Sequence, residues 1–167
     1  MEFDWQDLIQ SAVRLTAAGL AGGILGFNRE ITGAWAGLRT HMVVSVGAAL
    51  FLLLATDLAR EDSSALPRAL EGVATGVGFL GAGTILKQSN RSSIKGLTTA
   101  SSIWMAAGLG SVAGCGEYEL LAAGTLMAII VLVIFKPVSD AISEVRHAHE
   151  QEEEQGVHGE NDLSRHH

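Results

Sequence analysis

Five apolar runs, at 8–27, 41–55, 69–86, 97–113 and 120–135, hold between them only two fully charged side chains, Arg14 and Glu71. The remaining charges are bunched in the short connections and in the C-terminal segment. A chain patterned this way has little polar surface with which to wrap a water-soluble core. It fits a helical membrane protein, in which a crossing takes about 20 largely apolar residues and about 17 suffice. The second and fifth runs are short by that measure. Thr40 and Thr56 extend the one, and Tyr118 and Lys136, as interfacial anchors, extend the other. The expected architecture is an all-α membrane protein with spans at about 8–27, 40–56, 69–86, 97–114 and 118–136, forming a transmembrane domain over 1–136.

The N-terminus, Met1-Glu2-Phe3-Asp4, is acidic where a cleavable signal is basic, so the first span is expected to stay in the mature protein. Lysine and arginine in the short connections set the orientation. Arg29 and Arg39 lie in the first connection, Lys87, Arg91 and Lys95 in the third, and Lys136 follows the fifth span. The second connection dilutes Arg60 and Arg68 with Asp57, Glu61 and Asp62, and the fourth holds only Glu117 and Glu119. The positive-inside rule therefore puts the N-terminus outside and the C-terminus in the cytoplasm.

Residues 137–167 are a different material. Eight acids against two arginines make up six of the seven net negative charges of the chain. Val138, Ala141, Ile142 and Val145 share one helical face, which predicts a short amphipathic segment at the membrane surface. Beyond residue 150 the composition predicts a disordered, solvated tail. Five of the six histidines sit here (His147, His149, His158, His166 and His167) with no cysteine or paired-acid ligand set beside them, and no metal site is expected. Cys115 is alone, so no disulfide forms within the chain.

The run Gly76-Val-Gly78-Phe-Leu-Gly81 fits the G-x-G-x-x-G dinucleotide fingerprint, which works only between a strand and a helix with an acid about 20 positions on. Here the run lies inside an apolar span, and Ser101, Ser102 and Ile103 stand where the acid belongs. No cofactor is expected. In lipid, helices associate by close packing and hydrogen bonds, and small residues permit the approach. Gly19, Gly22, Gly23, Gly26, Gly72, Gly76, Gly78, Gly81, Gly83, Gly110 and Gly114 are read as that packing surface. A weak repeat at an offset of fifty-nine positions relates Gly37-Leu-Arg-Thr40 to Gly96-Leu-Thr-Thr99. It suggests two parallel-related helical hairpins followed by a fifth helix.

The two intramembrane charges, Arg14 and Glu71, are a candidate ion pair, with snorkelling of Arg14 as the alternative. No acid lies midway along a span, which disfavours a path for Mg²⁺, a hard cation that seeks carboxylates. Polar residues gather instead at the expected cytoplasmic end. Arg29, Glu30, Arg39, Thr40, His41, Lys95, Thr98, Thr99 and Ser102 form a candidate anion or partner site, where two helix N-termini add free N–H groups to the charges of Arg39 and Lys95. His41 and Glu30 could meet Ser102 there, but no catalytic spacing is visible and an enzyme is not expected. The acidic balance disfavours nucleic acid.

Three stretches resemble one bacterial family. Gly37-Leu-Arg-Thr-His-Met-Val-Val-Ser-Val-Gly-Ala-Ala-Leu-Phe51 is similar to the second-helix motif of MgtC/SapB inner-membrane proteins. The stretch 76–86 resembles their third-helix motif, and Lys95-Gly-Leu-Thr-Thr-Ala-Ser-Ser-Ile-Trp104 their fourth. With Arg29-Glu30, the likeness covers about residues 14–118. Asn28 and Trp35 depart from the family pattern, and a short acidic tail stands where long members carry a soluble domain. The resemblance implies a multi-pass protein of the bacterial inner membrane, tied to low magnesium, acid stress and virulence in host cells. It implies a non-enzymatic regulator that sits in the lipid bilayer and binds another membrane protein or complex, and the glycine-lined helix faces suit lateral docking of a second copy as a homodimer or other homo-oligomer. The alternative function is a small ion or solute transporter or channel.

Overall fold

The computed structural model describes residues 4–86 and 96–136. The expectations placed on Lys87, Arg91 and Lys95, and on the amphipathic and acidic segment 137–167, lie outside the described residues. Among those described, the chain forms five helices: α1 (Trp5–Ile31), α2 (Leu38–Leu58), α3 (Ala65–Leu86), α4 (Leu97–Cys115) and α5 (Tyr118–Ile134). Each of the five expected spans coincides with one helix. α1 and α2 are long and apolar enough to cross a membrane, and α5 is apolar but only 17 residues long.

Local chemistry sets the boundaries. Asp4 caps α1 by accepting from the Gln6 amide at 2.8 Å, and Asp7 adds negative charge at the positive helix end. Thr32 closes α1 by donating its hydroxyl to the Asn28 carbonyl at 3.0 Å. α2 has no side-chain cap of its own, because Gly37 stands at its N-cap. Glu30 reaches across the turn instead, its Oε2 accepting from the Leu38 amide at 2.9 Å. A Cβ at Gly37 would occupy the place of that carboxylate. Asp62 organises the turn before α3, accepting from the Ser64 amide at 2.9 Å and the Ser64 hydroxyl at 2.7 Å. α4 starts at Gly96, whose φ of 98° favours glycine, and stops at Gly116 with φ 85°.

The described residues up to Ile129 form one compact unit. Within it α1, α2 and α4 pack against one another, and α3 packs on α2 and α4. The interior is built from small residues: Ala18, Ala49, Ala106 and Ala113 are fully buried, with Leu25, Leu52 and Ile103 as the large fillers. Backbones approach very closely. A Cβ at Gly22 would stand 2.6 Å from the His41 carbonyl oxygen, at Gly26 2.8 Å from Leu38 Cα, and at Gly114 2.6 Å from the Ala49 carbonyl oxygen; at Gly110 it would overlap the Ser45 carbonyl. Ser45 adds a hydrogen bond from its hydroxyl to the Ala18 carbonyl at 2.7 Å.

The packing role expected of all eleven glycines is corrected for four of them. Gly72, Gly76, Gly78 and Gly83 have nothing within 4 Å of a Cβ position, while Gly19, Gly23 and Gly81 meet neighbours at an ordinary 3.5 Å. The reason is that α3 packs on α2 and α4 alone among the described helices: Val77 is buried, Val73 is partly buried against the same core and Gly81 meets Ala100, while Gly72, Gly76, Gly78 and Gly83 lie on exposed faces. On α5, Leu121, Thr125 and Ala128 are buried whereas Leu120, Leu126 and Met127 are exposed, so much of this helix faces outward. The two positions linked by the repeat, Gly37 and Gly96, both stand at helix N-caps, of α2 and α4 respectively.

Candidate functional site

Where α1 ends and α2 and α4 begin, one polar cluster is folded into the bundle. His41, one turn into α2, is wholly buried. Its Nδ1 lies 2.8 Å from the Gly37 carbonyl, and its Nε2 lies 3.0 Å from the Ser102 hydroxyl on α4. Ser102 also lies 2.9 Å from the Thr99 carbonyl, and Thr99 Oγ1 accepts from the Arg29 guanidinium of α1 at 3.4 Å. The polar chain thus ties three helices together, and it closes against the glycine contacts of Gly22 and Gly26.

The partners assign the imidazole tautomer. A carbonyl only accepts, so Nδ1 carries the hydrogen toward Gly37, and in the neutral ring Nε2 accepts from Ser102. With a second proton on the ring, Nε2–H would donate to Ser102, whose hydroxyl would then turn to the Thr99 carbonyl. Both states find partners in the same geometry.

The nine candidate residues separate by depth. His41, Thr99 and Ser102 are buried, Arg29 is half-buried, and Glu30 is committed to the start of α2. Arg39, Thr40 and Thr98 are exposed at the same end, and Lys95 lies outside the described residues. The structure does bring His41 and Ser102 together. It does not bring Glu30 to the ring: a backbone carbonyl holds Nδ1 where a serine-hydrolase arrangement has a carboxylate. Ser102 is 3% exposed, which leaves no room for a substrate at its hydroxyl. Asn28 Oδ1 and Arg29 Nε are enclosed with no hydrogen-bond partner among the described residues.

Arg14 departs from the expected pairing with Glu71. Its Nη1 donates to the Gly114 carbonyl at 2.9 Å, and its guanidinium lies against Gly116. α1 packs on α2 and α4 and not on α3, which carries Glu71. Arg14 instead satisfies a free carbonyl at the C-terminus of α4, where the helix dipole favours a cation. Backbone partners such as Gly37 and Gly114 leave no trace in a sequence. Ser45 had one: it lies one turn from His41 on the same face.

Among the described residues, large apolar side chains lie on the outside, with Phe79 at 81% and Val43 at 71% exposure, around a core of small residues that encloses the polar cluster at His41. That inversion defines a helical membrane protein. The chain belongs to the MgtC family, whose family model matches residues 15–141. It is 44% identical to Protein SrpB of Synechococcus elongatus over 80% of this chain and 77% of that protein. It is 42% identical to the "Putative magnesium transporter YhiD" of Escherichia coli over 74% of this chain, and 37% identical to Protein MgtC of Brucella abortus over 80% of it. The chain spans 59% and 55% of the length of those two relatives. No solved structure matches it.

Proposed function

We propose that this chain is a five-span protein of the bacterial inner membrane, N-terminus outside, that acts without enzymatic turnover by binding another membrane protein or complex under low-magnesium, acid or host stress. The observation that carries this reading is the contrast between a closed interior and an open flank. α1, α2 and α4 meet backbone to backbone at Gly22, Gly26, Gly110 and Gly114, which leaves little room for a solute path between them. Gly78 and Gly83 on α3 leave uncovered backbone that a partner helix can approach closely. Arg39, Thr40 and Thr98, exposed beside the starts of α2 and α4, offer an anionic group of that partner a place to rest.

Crosslinking in native membranes, followed by identification of the captured protein, tests the reading. One reproducible partner, lost in the Arg39→Ala variant, is expected, and the purified chain alone in vesicles should move no magnesium. Uptake by the purified chain, in keeping with the name of its Escherichia coli relative, would overturn the regulator in favour of a transporter.

A further inference from the structure

An open groove runs between α2 and α3. Its inner stretch, about 600 Å³, is lined by Val43, Phe51, Val73 and Leu80 over Gly72 and Gly76. A second cavity of about 490 Å³ adjoins it, sharing Phe51 and Ala69, and ends among Leu58, Glu61, Asp62 and Arg68. The groove is therefore apolar along its length and charged of both signs at its mouth. Asp62 is already engaged by Ser64. Among the described residues the ion pair formed is Arg60 with Asp57 at 3.8 Å; Arg68 acts only weakly on Asp62 across space, so Glu61 and Arg68 are bound in no close pair that would keep them from an outside group.

We propose that this groove binds a phospholipid whose headgroup carries both a phosphate and a primary ammonium. One acyl chain lies along Gly72 and Gly76, the phosphate rests on Arg68 and the ammonium on Glu61. The proposal rests on the reading that α2 and α3 both cross the bilayer with their connection at its surface.

Magnitudes favour a lipid chain over a helix. A helix about 10 Å across that rises 1.5 Å per residue fills roughly 120 Å³ per residue, so the inner stretch seats about five residues of a span that needs about 20. A thin, flexible chain can follow the groove past Phe51 into the charged mouth. An empty groove would forfeit dispersion contacts along its whole lining. Lipid tails are as apolar as leucine, so the tail gains little by choosing this place over bulk lipid, and selection falls to the headgroup. The guanidinium fork of Arg68 matches a phosphate. A primary ammonium donates hydrogen bonds to the Glu61 carboxylate, whereas a quaternary choline nitrogen has no hydrogen to give.

The test uses the full chain in phosphatidylcholine vesicles doped with a trace of one tail-photoactivatable lipid: phosphatidylethanolamine, phosphatidylcholine or phosphatidylglycerol. Adducts are mapped by mass spectrometry. Phosphatidylethanolamine should label Val73 and Leu80 at least about fivefold more than either other probe, a preference of roughly 1 kcal/mol. Glu61→Gln should erase its advantage over phosphatidylcholine, and Arg68→Gln should lower groove labelling by all three. Both residues are exposed, so these variants keep the fold. Gly76→Leu should fill the groove and remove its adducts while adducts at the exposed Phe79 persist. Equal groove labelling by the three probes, or crosslinks from the groove to a second copy, would overturn the proposal. Labelling at Phe79 with none in the groove would sink the lipid site alone, and no labelling at Phe79 would sink the membrane reading beneath it.

Discussion

His41 shows what a buried polar residue costs and gives in this protein. Its ring has no access to water, so both nitrogens depend on Gly37 and Ser102. Ser102→Ala removes one partner and leaves a buried nitrogen unsatisfied, a loss of about 1–3 kcal/mol. Interhelical hydrogen bonds in membrane proteins average closer to 0.6 kcal/mol. We therefore expect a coupling of about 0.5–2 kcal/mol between His41→Ala and Ser102→Ala in a double-mutant unfolding cycle. Strict additivity would mean that the 3.0 Å contact contributes nothing. Asp62 offers a second check, at the surface. The hydroxyl and then the amide of Ser64 hold its carboxyl below the usual 3.8. A depressed carboxyl contributes stability that is complete above its unfolded value and fades as pH falls through the folded one, so the effect is confined to acid below about pH 4. Carboxyl NMR should show the Asp62 midpoint moving up toward 3.8 in Ser64→Ala. An unmoved midpoint would mean that the turn is not held by this pair.

The glycines mark how far elements can be read from a sequence. All five helices were legible, because an apolar run of span length flanked by charge has few other folds open to it. Which glycines pack was not legible, since the same spacing arises on a face that meets another helix and on one that meets none. Gly110 lies under the Ser45 carbonyl, whereas Gly76 faces open space. Gly110→Ala should accordingly cost about 1–3 kcal/mol through overpacking. Gly76→Ala should be neutral or stabilise by up to about 1 kcal/mol, because alanine is the better helix former. Unfolding titrations in mixed micelles decide this, and equal losses at the two positions would contradict the packing described. The site was legible in part. Arg29, His41, Thr99 and Ser102 do converge, because the end of α1 and the starts of α2 and α4 lie together. Their burial was not foreseeable, since a polar residue at a helix end reads the same whether it faces water or a neighbouring helix. Arg14 was misread for a related reason: counting charges pairs it with Glu71, and the partner it finds is a backbone carbonyl.

At the scale of the whole bundle, order along the chain and order in the structure diverge. α3 comes between α2 and α4 in sequence, yet α2 packs directly on α4 and α3 lies to one side of both. The core of 1–129 therefore consists of α1, α2 and α4, locked by Gly22, Gly26, Gly110 and Gly114, and α3 is added to it through Val77 and Gly81. Local stability follows buried contact, and elements with little of it open first. Hydrogen exchange on the full chain in detergent should find amides of Ala65–Leu86 exchanging at least about tenfold faster than those of Leu38–Leu58, a difference of roughly 1.4 kcal/mol in opening free energy. An outer helix that opens without breaking the core is also the one that a second membrane protein can engage at least cost to the rest. A partner bound there should slow exchange in α3 and leave α1 and α4 unchanged. Uniform exchange across all four helices would mean that α3 is as firmly held as the core, and the asymmetry on which lateral recognition depends would be lost.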